Sequence, residues 1–153
     1  MSLEEFKISE IEIAYRPKLK ASERPKVSKA HEAYNLLLRC WDENKICLIE
    51  EFKIVLLNRG NRVLGVMHVA QGGMEGVLID PKIIMATALK GAATSIVLAH
   101  NHPSGKLEPS KQDIRLTNRI VRAGDLLGIK VVDHLILTDD GYYSFSKDGI
   151  LGV

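Results

Sequence analysis

A short apolar segment that ends in two histidines constrains this chain more than any other feature. Residues 94–99 read TSIVLA, and His100 and His102 follow directly, one residue apart. The apolar run predicts a buried central strand. Because side chains two residues apart in a strand face the same side, both histidines should project together from its carboxyl end. Pro103 and Gly105 then predict a loop immediately beyond the strand.

A hydroxyl and a carboxylate follow in the same stretch, on Ser110 and Asp113. A new helix is expected to begin at these residues. His100, His102 and Asp113 suit zinc, with bond lengths of about 2.0–2.2 Å, and three protein ligands leave the fourth position for water, the catalytic arrangement. Bound zinc lowers the pKa of that water to about 7 and produces a hydroxide nucleophile. Alternatively, Ser110 and Asp113 form only a capping box at the start of the helix, and the two roles are compatible.

The spacing His100-x-His102, seven residues, Ser110-x-x-Asp113 resembles the JAMM motif of the JAB/MPN-domain metalloproteases. The fuller string HNHPSG, with DHLI further on, is similar to the RadC family within that superfamily, and the resemblance covers most of the chain. It implies an α/β (α+β-like), cytidine-deaminase-like fold with a mixed β-sheet flanked by helices. It also implies a zinc ion that serves hydrolysis of an amide, peptide or isopeptide bond. Full-length RadC proteins usually carry a helix-hairpin-helix region before this domain, and a short form without that region is expected here.

The resemblance further implies a glutamate that carries a proton during the reaction, at the start of the strand before the first hairpin. Glu50 and Glu51 are the candidates, and only one can serve because neighbouring residues of a strand face opposite sides. The family pattern places the glutamate two residues before an aromatic or small apolar residue and so favours Glu50. Glu51 is then expected to be a solvated charge at the strand edge. Ser110 is expected to stabilise the oxyanion that forms when hydroxide attacks a carbonyl.

Three residues around the ligands are expected to support the site. Asn101 should face away from the histidines and fix the loop by hydrogen bonds, while Pro103 and Gly105 shape that loop. Asp133 and His134 leave two interpretations open. Either the carboxylate orients a ligand histidine from behind, or the pair is satisfied within the sheet.

Periodic patterns predict the remaining elements. The predicted helices cover residues 28–41, with Ser28 as N-cap, 81–92 and 110–127, and the predicted strands cover residues 50–57, 62–69, 94–99, 129–137 and 142–145. A loop is expected to open at residues 71–73. A mixed sheet with helices on its faces follows. Residues 1–27 are predicted to form an N-terminal arm, in which Ile8, Ile11 and Ile13 allow a short strand, and residues 28–153 the RadC-like JAB/MPN domain.

Composition limits the partners and the compartment. A chain of 153 residues suits one domain, and a net charge of +2 is too small to indicate nucleic-acid binding. The basic cluster at residues 16–29 is either a solvated linker or a weak polyanion contact. Cys40 and Cys47 match no zinc knuckle, the N-terminus lacks a signal-peptide core, and no apolar run reaches the length of a membrane span. A cytoplasmic protein without membrane association is therefore predicted; the oligomeric state is not predicted.

Two classes of function compete with hydrolysis of a peptide or isopeptide substrate. One is a JAB-fold interaction module without enzymatic activity, and the other is a DNA-processing protein, either of them in DNA repair or a mobile-element complex. A scaffold has no need for two histidines, a serine, an aspartate and a glutamate together. A DNA-processing protein would need a basic groove, and the chain offers only the basic cluster at residues 16–29.

Overall fold

The computed structural model describes residues 2–72 and 78–152. Its strands are β1 (Glu51–Leu57), β2 (Val63–Gln71), β3 (Ser95–Asn101), β4 (Lys130–Thr138) and β5 (Gly141–Ser144). Its helices are α1 (Ala30–Cys40), α2 (Pro81–Lys90) and α3 (Lys111–Leu127). Over these residues the chain forms one five-stranded sheet in the order β2-β1-β3-β4-β5. The predicted α/β class, a mixed sheet flanked by helices, is confirmed.

The sheet is mixed because β3 and β4 are parallel, whereas β1 pairs antiparallel with both β2 and β3, and β5 pairs antiparallel with β4. Parallel neighbours require a crossover connection, and α3 provides it between β3 and β4. All seven residues of β3 are buried, as the apolar run predicted. The carboxyl end of this central strand therefore lies at the middle of one sheet edge, directly before α3.

Two apolar layers cover the two faces of the sheet. On one face α1 packs over the alternate β1 residues Val55 and Leu57. On the other face α2 and α3 pack over Phe52, Ile54 and Leu56. Because β1 alternates strictly between the layers, any two consecutive residues at its start face different helices.

The N-cap of α1 lies one residue later than predicted. The helix begins at Ala30 with Lys29 at the N-cap, and no side chain caps its first turn. Ser28, the predicted N-cap, instead donates its backbone N–H to the Glu32 carboxylate, 3.0 Å away. The Glu32 side chain thus reaches back beyond the N-cap to the residue before it.

The N-terminal arm forms no strand within residues 2–27, so the short strand allowed by its isoleucines is wrong. Ile11 and Ile13 are 90% and 84% exposed. The end of the arm does pair with the sheet: Val63 donates to the Pro25 carbonyl and Val27 donates to the Asn61 carbonyl, both at 2.9 Å. The loop predicted to open at residue 71 begins later, because β2 continues to Gln71, which pairs with Glu51; the third predicted loop residue, 73, lies outside the described residues. Within residues 2–72 and 78–152, none of the helices has the length and apolar character that crossing a membrane requires.

Candidate metal centre

The register between β1 and β3 decides which glutamate faces the two histidines. Phe52 pairs with His100, and their rings stack with centroids 5.9 Å apart. Glu50 lies two residues before Phe52, so it returns to the same face of the sheet and lies beside His102. The antiparallel pairing thus brings the start of β1 to the carboxyl end of β3.

Four side chains converge at this edge, and their candidate ligand atoms all lie within 4.8 Å of one another: Glu50, His100, His102 and Asp113. The Nε2 atoms of His100 and His102 are 3.0 Å apart, and each is 3.4 Å from Asp113 Oδ2. Glu50 Oε1 is slightly more distant, at 3.7 Å from His100 Nε2.

These distances fit the coordination of one small cation. Ligands at about 2.0–2.1 Å in a tetrahedron are separated from one another by about 3.3–3.4 Å, the edge that such bond lengths dictate. The two imidazole nitrogens and Asp113 Oδ2 are 3.0 to 3.4 Å apart. The cluster can therefore hold a metal ion with three protein ligands, and Glu50 stands just outside them.

The first turn of α3 fixes the carboxylate. Ser110 is the N-cap; its hydroxyl oxygen accepts the backbone N–H of Asp113 at 3.0 Å, and its own N–H donates to Asp113 Oδ2 at 2.8 Å. This is the capping box that the sequence allowed, and it orients the oxygen that faces the histidines. The Ser110 hydroxyl acts as an acceptor here, so its proton remains available to a further acceptor.

The turn after β3 fixes His102. Its Nδ1 lies 2.7 Å from the Lys106 carbonyl oxygen, and an imidazole that donates from Nδ1 directs the lone pair of Nε2 into the cluster. The chain returns to this position through Gly105, whose φ of +82° is one that L side chains rarely adopt. The Gly105 N–H closes the turn on the His102 carbonyl at 2.9 Å. Pro103 lies inside this turn.

A buried relay fixes His100 from behind. Thr117 Oγ1 donates to the Asp113 carbonyl at 2.6 Å, so it accepts from His134 Nδ1, also 2.6 Å away. His134 Nε2 then accepts from His100 Nδ1 at 2.7 Å. The remaining nitrogen of a neutral His100 presents its lone pair to the cluster. His134 is thus the partner that sets the tautomer of His100, a role that metal-binding histidines usually give to a carboxylate or a carbonyl.

Protonation within the cluster is strongly perturbed. Burial raises the pKa of Glu50, although His100 and His102 oppose the shift. Burial alone would also raise the pKa of Asp113, but hydrogen bonds with His100 and His102 outweigh it and hold that pKa well below its usual range. Burial would lower the pKa of His102, yet its bonds to Asp113 and the Lys106 carbonyl raise it. Burial, followed by the charge of His100, keeps the pKa of His134 well below its usual value. Because metal ligands bind in their deprotonated forms, metal binding to this cluster would release protons.

Each of the two interpretations of Asp133 and His134 holds for one member of the pair. Asp133 is satisfied within the sheet, because it accepts from the Ser144 hydroxyl at 2.6 Å and from the backbone N–H groups of Ser146 and His134 at 3.0 and 2.8 Å. Burial raises its pKa, against these hydrogen bonds. It is His134, not the carboxylate, that contacts His100, a candidate ligand. In the sequence, the only indication of this contact was the presence of two adjacent polar residues inside an otherwise apolar strand.

Asn101 faces the opposite side of the sheet from the histidines and is fully buried. Its Oδ1 accepts the backbone N–H of Glu51 at 2.7 Å, and its Nδ2 donates to the carbonyls of Ile46 and Ile49 at 2.8 and 2.9 Å. The side chain therefore holds the segment that precedes β1, rather than the loop after β3. Since Glu50 lies inside that segment, Asn101 positions the glutamate.

Glu51 is not the solvated charge that the sequence predicted, because it is only 3% exposed. It faces the α1 side of the sheet, with its carboxylate 3.9 Å from Lys53 Nζ. Lys53 in turn lies over the Trp41 ring, 5.1 Å from its centroid. Strand alternation was applied correctly, but the face that Glu51 points to is covered rather than open.

Replacement of Asn101 by alanine should destabilise the protein by roughly 3 kcal/mol, because it orphans one buried N–H and two carbonyls, each of which costs about 1–3 kcal/mol when unpaired. Urea unfolding measures the change. Asn44→Ala is the matched control, since that exposed side chain should shift stability by less than about 0.5 kcal/mol. Equal stability of the two variants would contradict the assigned role of Asn101.

Replacement of His134 by leucine should weaken metal binding about 10- to 100-fold, the usual effect of removing a partner that orients a ligand. Competition with a chromophoric chelator measures the affinity. His134→Gln should recover part of the loss, because its amide oxygen can accept the hydrogen bond from His100 Nδ1. A purely structural role for His134 predicts no such difference between two equally folded variants.

The protein is an α/β domain with a candidate metal site at one edge of its mixed sheet. The site contains two imidazoles, an aspartate and an adjacent glutamate. The chain belongs to the RadC-like JAB domain family, whose family model matches residues 27–150. The resemblance drawn from the histidine motif is thereby confirmed.

Similar proteins share this domain at moderate identity. A UPF0758 protein of Flavobacterium johnsoniae is 42% identical over 101 residues, 66% of this chain and 44% of that protein. A UPF0758 protein of Porphyromonas gingivalis is 44% identical over 103 residues, 67% of this chain and 45% of that protein. A UPF0758 protein of Alkaliphilus metalliredigens is 36% identical over 126 residues, 82% of this chain and 53% of that protein. The chain spans about half the length of the curated relatives it matches.

Proposed function

We propose that this domain is a zinc-dependent hydrolase of amide bonds, in a peptide or an isopeptide linkage. One observation carries the proposal: two imidazole nitrogens and a carboxylate oxygen stand 3.0 to 3.4 Å apart beside a glutamate that is not needed as a fourth ligand. Nitrogen and oxygen donors with three protein ligands suit catalytic zinc. Membership of the RadC-like JAB family and the resemblance to JAMM metalloproteases support the same chemistry.

The proposed roles follow from position. His100, His102 and Asp113 hold the ion, which when bound supplies Lewis acidity and lowers the pKa of a coordinated water. The Glu50 carboxylate accepts a proton from the attacking water and returns it to the leaving nitrogen. The Ser110 hydroxyl donates to the carbonyl oxygen as negative charge develops on it.

Substrate hydrolysis with and without metal tests the proposal. Zinc-loaded protein is incubated with a panel of peptides and lysine-linked isopeptides, and new amine groups are counted. We expect cleavage of at least one class, loss of cleavage after chelation, and recovery when zinc is restored. Cleavage that survives complete chelation would exclude the zinc mechanism, and the absence of cleavage across the panel by zinc-loaded protein would favour an interaction module.

A further inference from the structure

The candidate metal centre opens into a cavity of about 570 Å³. Glu50, His102 and Asp113 form the part of its lining that contains the ligands, and Ile79 and Leu116 contribute apolar surface. Because the cavity and the candidate ligands share this lining, a substrate bound at the centre would contact its walls.

Two arginines on α3, Arg115 and Arg119, also line the cavity. Both are exposed, and among residues 2–72 and 78–152 neither forms an ion pair with an acidic side chain. Like charges one helical turn apart repel each other and weaken a helix. The first half of α3 therefore presents two uncompensated positive charges to the same space as the metal ligands.

Helix geometry sets how far the two arginines lie from Asp113 along the axis of α3. At about 1.5 Å per residue, Arg115 lies about 3 Å and Arg119 about 9 Å beyond Asp113 along the axis of α3. An extended peptide advances about 3.3–3.6 Å per residue. A peptide that has its carbonyl at the centre and runs along α3 would thus bring a side chain to the two arginines within about three residues.

We propose that this cavity recognises a peptide segment with a glutamate or aspartate within three residues of the bond at the centre, and that Arg115 and Arg119 bind its carboxylate. The inference rests on the proposed amide hydrolysis and names its substrate class. The planar guanidinium group pairs with a carboxylate through two parallel hydrogen bonds. Ile79 and Leu116 favour an apolar neighbour of the acidic residue.

A nucleic acid suits this cavity less well. A nucleic acid carries a negative charge at every nucleotide. Glu50 and Asp113, at the inner end of the cavity, would repel the phosphates nearest to the centre. The apolar wall offers phosphates no hydrogen bond. A single carboxylate placed away from the centre satisfies the arginines and avoids the two acidic groups.

Binding of labelled peptides tests the inference without relying on turnover. The zinc-loaded Glu50→Gln variant is titrated with fluorescein-labelled hexapeptides that share one apolar residue and carry either glutamate or glutamine at each position in turn. Fluorescence anisotropy should show at least tenfold tighter binding of the best glutamate peptide than of its glutamine counterpart. Arg115→Gln/Arg119→Gln in the same background should abolish that preference.

Arg122→Gln provides the matched control, because Arg122 carries the same charge on the same helix and does not line the cavity. The preference for glutamate should survive this change. The inference is overturned if no peptide shows the preference, if Arg122→Gln removes it equally, or if single-stranded DNA displaces the acidic peptide at lower concentration than the unlabelled peptide does.

The two proposals fail separately. If zinc-loaded wild-type protein cleaves glutamate and glutamine peptides equally well, the hydrolase proposal stands and the acidic specificity is wrong. If no peptide is cleaved while the arginine-dependent preference in binding persists, the recognition of an acidic segment stands and hydrolysis is wrong.

Discussion

Replacement of His102 by alanine should reduce bound zinc from about one ion per chain to nearly none. The substitution removes one of three ligand atoms that stand 3.0 to 3.4 Å apart. Loss of a group that merely orients a ligand weakens binding about 10- to 100-fold, so loss of the ligand itself should exceed that range. Elemental analysis of protein purified without chelators measures the stoichiometry, and circular dichroism checks that the variant is folded.

His31→Ala is the matched control for this experiment, since it removes an exposed histidine of α1 and should leave the zinc content unchanged. The assignment predicts that His100→Ala/His102→Ala binds no zinc at all. Wild-type stoichiometry in that double variant would contradict the metal centre.

Replacement of Glu50 by glutamine should retain zinc and lower the rate of hydrolysis by about 10²- to 10⁴-fold, the usual contribution of a positioned proton carrier. The amide keeps the size of the carboxylate but cannot accept the proton of the attacking water. Zinc content and initial rates on the substrate found in the panel are measured on the same preparation. The comparison separates two roles, because loss of zinc together with activity would make Glu50 a ligand.

Glu51→Gln is the neighbouring control, since Glu51 faces the other side of the sheet beside Lys53. We expect it to change stability and to leave the rate per folded molecule intact. If Glu51→Gln abolished hydrolysis while Glu50→Gln did not, the register of β1 against β3 would have to be reassigned.

Local patterns were sufficient to predict the elements that carry the ligands. The apolar run before His100 predicted β3, and the spacing of Ser110 and Asp113 predicted the start of α3. Both predictions depend on neighbours within a few residues, where strand alternation and helix capping act directly. The same alternation predicted that only one of Glu50 and Glu51 could face the histidines, and the family pattern favoured Glu50.

The residues that orient the candidate ligands and Glu50 could not be predicted from such local patterns. His134 reaches His100 only because β4 lies parallel to β3, and strand order depends on pairings between distant segments. Asn101 was expected to brace the loop beside it, yet it holds the segment before β1, some fifty residues away in sequence. Burial of Glu51 likewise depends on what covers that face of the sheet. The isoleucines of the N-terminal arm show that a local apolar pattern is not sufficient, since no strand forms within residues 2–27.

The capping box at Ser110 links the start of α3 to whatever occupies the centre. The backbone N–H of Ser110 donates to Asp113 Oδ2, the oxygen that also faces both histidines. A cation that draws electron density from this oxygen weakens its hydrogen bond to Ser110, while it holds the carboxylate in place. The amide proton of Ser110 is therefore a built-in spectroscopic probe, whose chemical shift and solvent exchange would register occupancy of the centre in the absence of any substrate.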